Sequence, residues 1–183
     1  VPRVNRLMDI LRTHDISPGV LLEVGAGYGT FCEEIIKTGY FNLVYAVEPT
    51  SHLAATCRKK GITVFESPVE NIEVASDSID VIASFETLEH LFSPKDFLMS
   101  CQKYLKVGGM IVLSMPNFLS FDILTLREQS NSIDHEHLNY FNPQSINLLM
   151  NQSGFEVIEV QTPGELDLDI VRNKMLENQV NLD

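Results

Sequence analysis

The stretch Val20-Leu-Leu-Glu-Val24-Gly-Ala-Gly-Tyr-Gly29-Thr30 decides the reading of this 183-residue chain. Val20 to Val24 is a short apolar run of buried-strand type, glycines follow at 25, 27 and 29, and helical spacing begins at Phe31. A strand, a tight loop and a helix are therefore expected. Glycine suits such a loop because the backbone must take angles that a Cβ opposes, and because a ligand can then approach the main chain closely. The first N–H groups of the helix would face the same space and supply donors and a partial positive potential. A nucleotide-like ligand is the expected occupant.

The spacing separates two ways of using such a loop. The dinucleotide fingerprint is G-x-G-x-x-G. Here the order is Gly25-x-Gly27-x-Gly29, and Thr30 stands where the third fingerprint glycine belongs. The phosphate-cradling G-x-x-x-x-G-K-[ST] loop is absent as well. With the acidic Glu23 ahead of it, the loop resembles the first motif of class I S-adenosylmethionine (SAM) methyltransferases.

Working outward, Val4, Leu7, Met8 and Leu11 form an amphipathic helix over residues 3–14, expected to lie over the ligand pocket or on the sheet edge. Strands are expected at Leu43–Val47, Ile62–Phe65, Ile79–Ser84 and Met110–Ser114. Helices are expected at 31–39, Leu53–Lys60 and, beginning at Pro94, up to Gly108-Gly109. Beyond Pro116 lies an insertion-like segment, Phe118 to Ile133, with a helix expected from Phe121 to Glu128. A helix over Pro143–Ser153 and a sixth strand over Phe155–Val160 follow, while Leu166 to Val171 reads as either strand or helix start. Strands alternating with helices predict an α/β fold with a doubly wound, mostly parallel sheet, ligands binding beyond the carboxyl ends of its strands.

Length and composition fit one domain over 1–183, with 44% hydrophobic and 21% charged residues. A net charge of −12 argues against a nucleic-acid surface. No apolar run reaches membrane-spanning length, and a cytoplasmic location is expected. Cys32, Cys57 and Cys101 form no CxxC pair and read as reduced helix or core residues. Both ends read as cut, so a fragment of a longer polypeptide is expected.

Glu48 ends the second strand, where a carboxylate can accept two hydrogen bonds from a ribose diol. With it, the order of segments resembles the small-molecule class I methyltransferases, including ubiquinone-biosynthesis-type O-methyltransferases and sugar or polyketide methyltransferases. The matching segments are Glu23–Gly29, Val47-Glu48-Pro49, Asp80–His90, Leu105–Gly109 and His137–Pro143. The resemblance implies a Rossmann-like fold, SAM as methyl donor and S-adenosylhomocysteine as product. It places Gly25, Ala26, Gly27 and Gly29 along the methionyl and ribose portions, with Glu23 organising the amino-acid end. Glu48 would hold the ribose, Pro49 would pack near the adenine, and Phe85 and Glu86 would border the methionyl group. Where the family often carries an adenine-binding Asp, Pro68 stands, leaving Val69 and Glu70, or apolar packing, to hold the base. The family also closes its sheet with a seventh, antiparallel strand, for which no candidate is discernible.

A sulfonium methyl is already activated, so catalysis reduces to positioning and, where the acceptor requires it, proton removal. His90, His135 and His137 are the candidate bases, each with a structural alternative. The run Asp134-His135-Glu136-His137 has metal-ligand residue types, but two histidines two apart converge only on an extended segment, and no metal site is assigned. Tyr140 and Phe141 are expected to wall an acceptor pocket, and 118–132 to form its lid. The expected function is methyl transfer to a small-molecule acceptor, with O-methylation slightly ahead of C- or N-methylation. The alternatives are a degenerate SAM-binding interaction domain and an NAD-type oxidoreductase. Nothing in the sequence speaks to oligomeric state.

Overall fold

The computed structural model describes residues 2–17, 19–164 and 168–178. They cluster into two compact units, one built from residues 2–87 and 93–114 and the other from 88–92 and the chain beyond 115.

In the first unit, helix α1 (Pro2–Thr13) precedes strand β1 (Val20–Val24), helix α2 (Thr30–Lys37) and strand β2 (Leu43–Val47). Helix α3 (Ser51–Lys59), strand β3 (Thr63–Phe65), strand β4 (Ile79–Phe85), helix α4 (Pro94–Tyr104) and strand β5 (Leu105–Ser114) follow. All the strand pairs are parallel and the order is β3-β2-β1-β4-β5. The order therefore reverses between β1 and β4, each strand having a neighbour on both sides. Leu21 and Leu22 point to opposite faces of β1 and are both fully buried, as a parallel sheet flanked by helices requires.

Val4, Leu7, Met8 and Leu11 of α1 share one core cluster with Leu21, Phe31, Ile35, Val81, Ala83 and Met110. Helix α1 thus lies on the face of the sheet beside α2, and not on its edge. A second cluster joins Ala26, Cys32, Ala46, Cys57 and Ile62. At the amino ends of β1 and β4, Asp80 accepts from the Val20 N–H (2.7 Å) and pairs with Lys106 (2.8 Å). A Cβ at position 19 would stand 2.0 Å from the Asp80 carboxylate, which is why glycine precedes β1.

Most boundaries lie within two residues of the sequence reading, but two adjoining ones shift by more. Helix α4 stops at Tyr104, ahead of Gly108-Gly109, and β5 begins at Leu105, its pairing with β4 shifted between Ile79 and Val81. The left-handed Gly108 lies inside that irregular strand start, so these glycines mark a bulge and not a helix cap.

The second unit contains helices α5 (Phe121–Leu126), α6 (Pro143–Gln152) and α7 (Leu168–Asn178). Asn142 caps α6 by accepting from the Ser145 N–H at 2.9 Å, and Ser145 Oγ accepts from the Asn142 N–H in return. The expected sixth strand over Phe155–Val160 is not formed: the segment enters no ladder among the described residues, and Ile158 and Val160 are exposed. Alternation prepares a segment for a sheet, but a strand exists only where a neighbour takes its hydrogen bonds. The ambiguous Leu166–Val171 resolves to helix from Leu168, and Leu166 lies outside the described residues.

Candidate functional site

The carboxyl ends of β1 and β2 are tied together by the glycine loop. The Gly25 and Ala26 N–H groups both donate to the Val47 carbonyl, at 2.9 and 3.1 Å. Glu48 follows Val47, and its carboxylate accepts from the Gly27 N–H through Oε2 and from the Thr50 N–H through Oε1, both at 2.8 Å. The Gly29 N–H donates to the Ala26 carbonyl, and the Cys57 thiol to the Gly27 carbonyl.

The three glycines are all left-handed but are required for different reasons. A Cβ on Gly25 would stand 2.3 Å from Thr87 Oγ1, and one on Gly29 2.8 Å from Cys57 Sγ, whereas one on Gly27 would meet nothing within 4 Å. Gly25 and Gly29 are therefore packed against the protein, and Gly27 alone faces open space. The Ala26 side chain is buried in the Cys57–Ile62 cluster, so it can offer a ligand only its main chain.

Glu23 and Glu48 are buried carboxylates, 4% and 5% exposed. Glu23 accepts from the Cys32 N–H in the first turn of α2 at 3.2 Å. Burial is the largest influence on it and pushes its pKa up to about 7; the Cys32 hydrogen bonds and Arg3 work against the shift, and Glu48 adds to it. Burial also pushes the Cys32 thiol far up, so it is inert.

Part of the donor set expected of the loop and helix start is already spent within the protein. The N–H groups of 25, 26, 27, 29 and 32 are all taken by protein acceptors, two of them carboxylates. Two carboxylates at the loop suit a ligand carrying hydroxyls and positive charge.

The remaining expected contacts occupy varied settings. Pro49 and Glu70 are exposed, and Val69 is buried in a 3-10 turn over Val69–Asn71. The Phe85 ring packs edge-on against Phe31 at 4.8 Å with the Arg3 guanidinium 5.2 Å from its centre, so its side chain serves the core. Glu86 is a left-handed non-glycine residue; its N–H donates to the Ser114 carbonyl and its Oε1 accepts from Ser114 Oγ at 2.6 Å. Thr87, Cys57, Ser84 and Arg3 escaped the sequence reading. Ser84 donates to the Val24 carbonyl immediately before the loop. A hydroxyl in a strand whose other polar residue is Asp80 was the available signal there; Thr87 and Arg3 gave none.

The histidines belong to the second unit. His90 ends a 3-10 turn over Leu88–His90, and His137 lies in the segment before α6. The Leu138 and Asn139 N–H groups donate to the Glu89 carbonyl at 2.8 and 2.9 Å, and the Asn139 amide to the Leu91 carbonyl at 2.6 Å. These bonds bring the His90 and His137 rings to 4.8 Å. His135 is exposed and stands outside this grouping. Asp134 accepts from the Glu136 and His137 N–H groups, which holds its carboxyl below the usual carboxylate range and spends it on the loop. Tyr140 lies against Phe118 at 5.2 Å, and Asp122 gathers the hydroxyls of Ser120, Ser130 and Ser132. The segment expected as a lid is thus held by its own hydrogen bonds.

Comparison with known proteins agrees with this geometry. Residues 2–160 match the model of a methyltransferase domain family. A Mycolicibacterium smegmatis protein named "Probable S-adenosylmethionine-dependent methyltransferase" is 24% identical over 133 residues, covering 73% of this chain and 49% of that protein. A ubiquinone biosynthesis O-methyltransferase of Caulobacter vibrioides is 28% identical over 102 residues, covering 53% and 40%. The chain thus spans about half the length, or less, of these curated relatives. Among solved structures, a SAM-dependent methyltransferase from Archaeoglobus fulgidus aligns with TM-score 0.65 at 18% identity, over 96% of this chain and 85% of that one. One from Mesorhizobium loti aligns with TM-score 0.66 at 16% identity, over 93% and 91%. A Glu-capped glycine loop on a 3-2-1-4-5 parallel sheet and a family match over most of its length make this chain a member of the class I SAM-dependent methyltransferases.

Proposed function

We propose that this chain transfers a methyl group from SAM to a small-molecule acceptor, with a hydroxyl oxygen favoured slightly over carbon or nitrogen. The observation that carries the proposal is the Glu48 carboxylate, which holds the loop through Gly27 and Thr50 and keeps a further lone pair on each oxygen for a ribose diol. Gly27 leaves the space beside it open. When bound, SAM supplies a methyl group already activated on a sulfonium. The protein's task is then to place the donor, exclude pyrophosphate-bearing competitors through Glu23 and Glu48, and relieve a hydroxyl acceptor of its proton. His90, His135 and His137 are the proposed bases.

Support for an oxygen acceptor is the ubiquinone O-methyltransferase among the relatives. A net charge of −12 supports an acceptor other than nucleic acid. The buried free thiols of Cys32, Cys57 and Cys101 support a reducing compartment such as the cytoplasm, and no described helix is long and apolar enough to cross a membrane.

Calorimetric titration with S-adenosylhomocysteine, with NAD⁺ in parallel, tests this. Saturable binding of the first alone is expected. Binding of NAD⁺ alone would reverse the assignment, and binding of neither would favour a degenerate interaction module.

A further inference from the structure

We propose that Cys57 is a positioning residue of the donor site: its thiol holds the carbonyl side of Gly27 and so sets the loop in the form that receives SAM. The inference rests on SAM as the donor and adds to that reading the device that shapes the loop.

Gly27 is the loop residue with open space beside it, and it takes a left-handed φ of 54°. Without a Cβ it has many backbone conformations open to it, so other groups must select one. Both of its flanking peptide groups are held. Glu48 Oε2 accepts from the Gly27 N–H at 2.8 Å, and the Cys57 thiol donates to the Gly27 carbonyl, with 3.3 Å between sulfur and oxygen. One bond acts on the peptide before the α-carbon and the other on the peptide after it, so together they restrain both φ and ψ.

The same sulfur fills the space that Gly29 leaves. A Cβ on Gly29 would stand 2.8 Å from Cys57 Sγ and 3.4 Å from Cys57 Cβ. Cys57 is itself firmly placed, fully buried near the end of α3, where its carbonyl accepts from the Lys60 and Ile62 N–H groups at 3.0 and 3.2 Å. Helix α3 begins just after Glu48, and its N-cap residue Thr50 donates to Glu48 Oε1. Both anchors of Gly27 therefore come from one segment, residues 48–57, from which the loop is hung. The arrangement needs a thiol, since a thiolate would repel the carbonyl; burial, then Glu23 and Glu48, push Cys57 up and keep it protonated. A loop ordered in advance spares the ligand that ordering cost, so loss of the thiol should be felt in affinity and not in stability alone.

The test is calorimetric titration of S-adenosylhomocysteine into the parent and its variants, with thermal unfolding of each. Cys57→Ala should bind roughly fivefold to tenfold more weakly, the effect of one lost hydrogen bond. Cys57→Ser keeps a donor and should restore most of the affinity. Cys101→Ala truncates an equally buried thiol on α4 and should lose stability to a similar extent while binding as the parent does. Should Cys57→Ala fail to fold, the near-isosteric pair Cys57→Thr and Cys57→Val carries the comparison, with the Thr variant binding more tightly. Parental affinity in folded Cys57→Ala, no recovery in Cys57→Ser, or equal weakening in Cys101→Ala would overturn the role of Cys57 and leave the donor site standing. Failure of the parent to bind S-adenosylhomocysteine would overturn the donor reading, and this inference with it.

Discussion

Buried carboxylates stand in both the glycine loop of the first unit and the histidine group of the second, but they meet different partners. Glu23 and Glu48 accept from main-chain N–H groups of Cys32, Gly27 and Thr50. Glu89 stands beside an imidazole nitrogen. Amide donors fix a loop and leave its carboxylates with spare acceptor capacity, which suits hydroxyls and a cationic ligand. The same side-chain chemistry thus meets main-chain amides in one region and a ring nitrogen in the other.

The sharpest way to break this comparison is Glu48→Ala, which removes the acceptor of Gly27 and Thr50 together with the proposed diol partner. S-adenosylhomocysteine affinity should fall at least ~100-fold, about 3 kcal/mol, as for loss of a buried charged partner. Wild-type affinity by calorimetry would sink the ribose assignment.

Glu23→Gln should act on stability almost as strongly and in the opposite direction. The folded-state pKa of Glu23 is about 7, against 4.5 for the ordinary side chain, so between these values the folded chain holds more protons than the unfolded one. Its contribution to stability is therefore present below pH 4.5 and lost as pH rises through 7, by about 3 kcal/mol in total. The Gln variant should lose that pH dependence and be more stable than the parent at pH 8, measured by urea unfolding at pH 4 and 8, while binding S-adenosylhomocysteine more weakly.

Within the loop, Gly25→Ala should cost about 2 kcal/mol or more, because a left-handed Cβ would also collide with Thr87. Gly27→Ala should cost only ~1 kcal/mol of backbone strain, but should impair ligand binding, since its Cβ enters the open space. Thermal unfolding and calorimetry on the pair would show whether Gly27 alone faces the ligand. The smallest effect is expected in the second unit, where Asn142→Ala should destabilise α6 by about 1 kcal/mol by removing its cap. Unfolding followed at two probes would show whether the first unit feels that loss.

Much of the first unit was legible because its signals are local. Val20–Val24 and Leu43–Val47 are strands with the predicted bounds, since each is a short, mostly apolar run whose carboxyl-terminal end is buried in the sheet. The helical spacing of Ile146, Leu149 and Met150 announced α6, and the cap at Asn142 came only with the structure. Phe155–Val160 misled because alternation says nothing about whether a partner strand exists. Among site residues, Glu48 was legible from its place after β2, but its bond to Gly27, 21 residues away, was not.

The sequence by itself determined the class of fold and the donor loop, because periodicity, glycine positions and a strand-end carboxylate are properties of neighbours in the chain. Only the tertiary structure decided which loop amides are already spent, that Gly25 and Gly29 are glycines for packing while Gly27 faces open space, and that His137 stands beside Glu89 and His90. Contacts between residues tens of positions apart depend on how elements pack, and the order of residue types along the chain does not encode such distances.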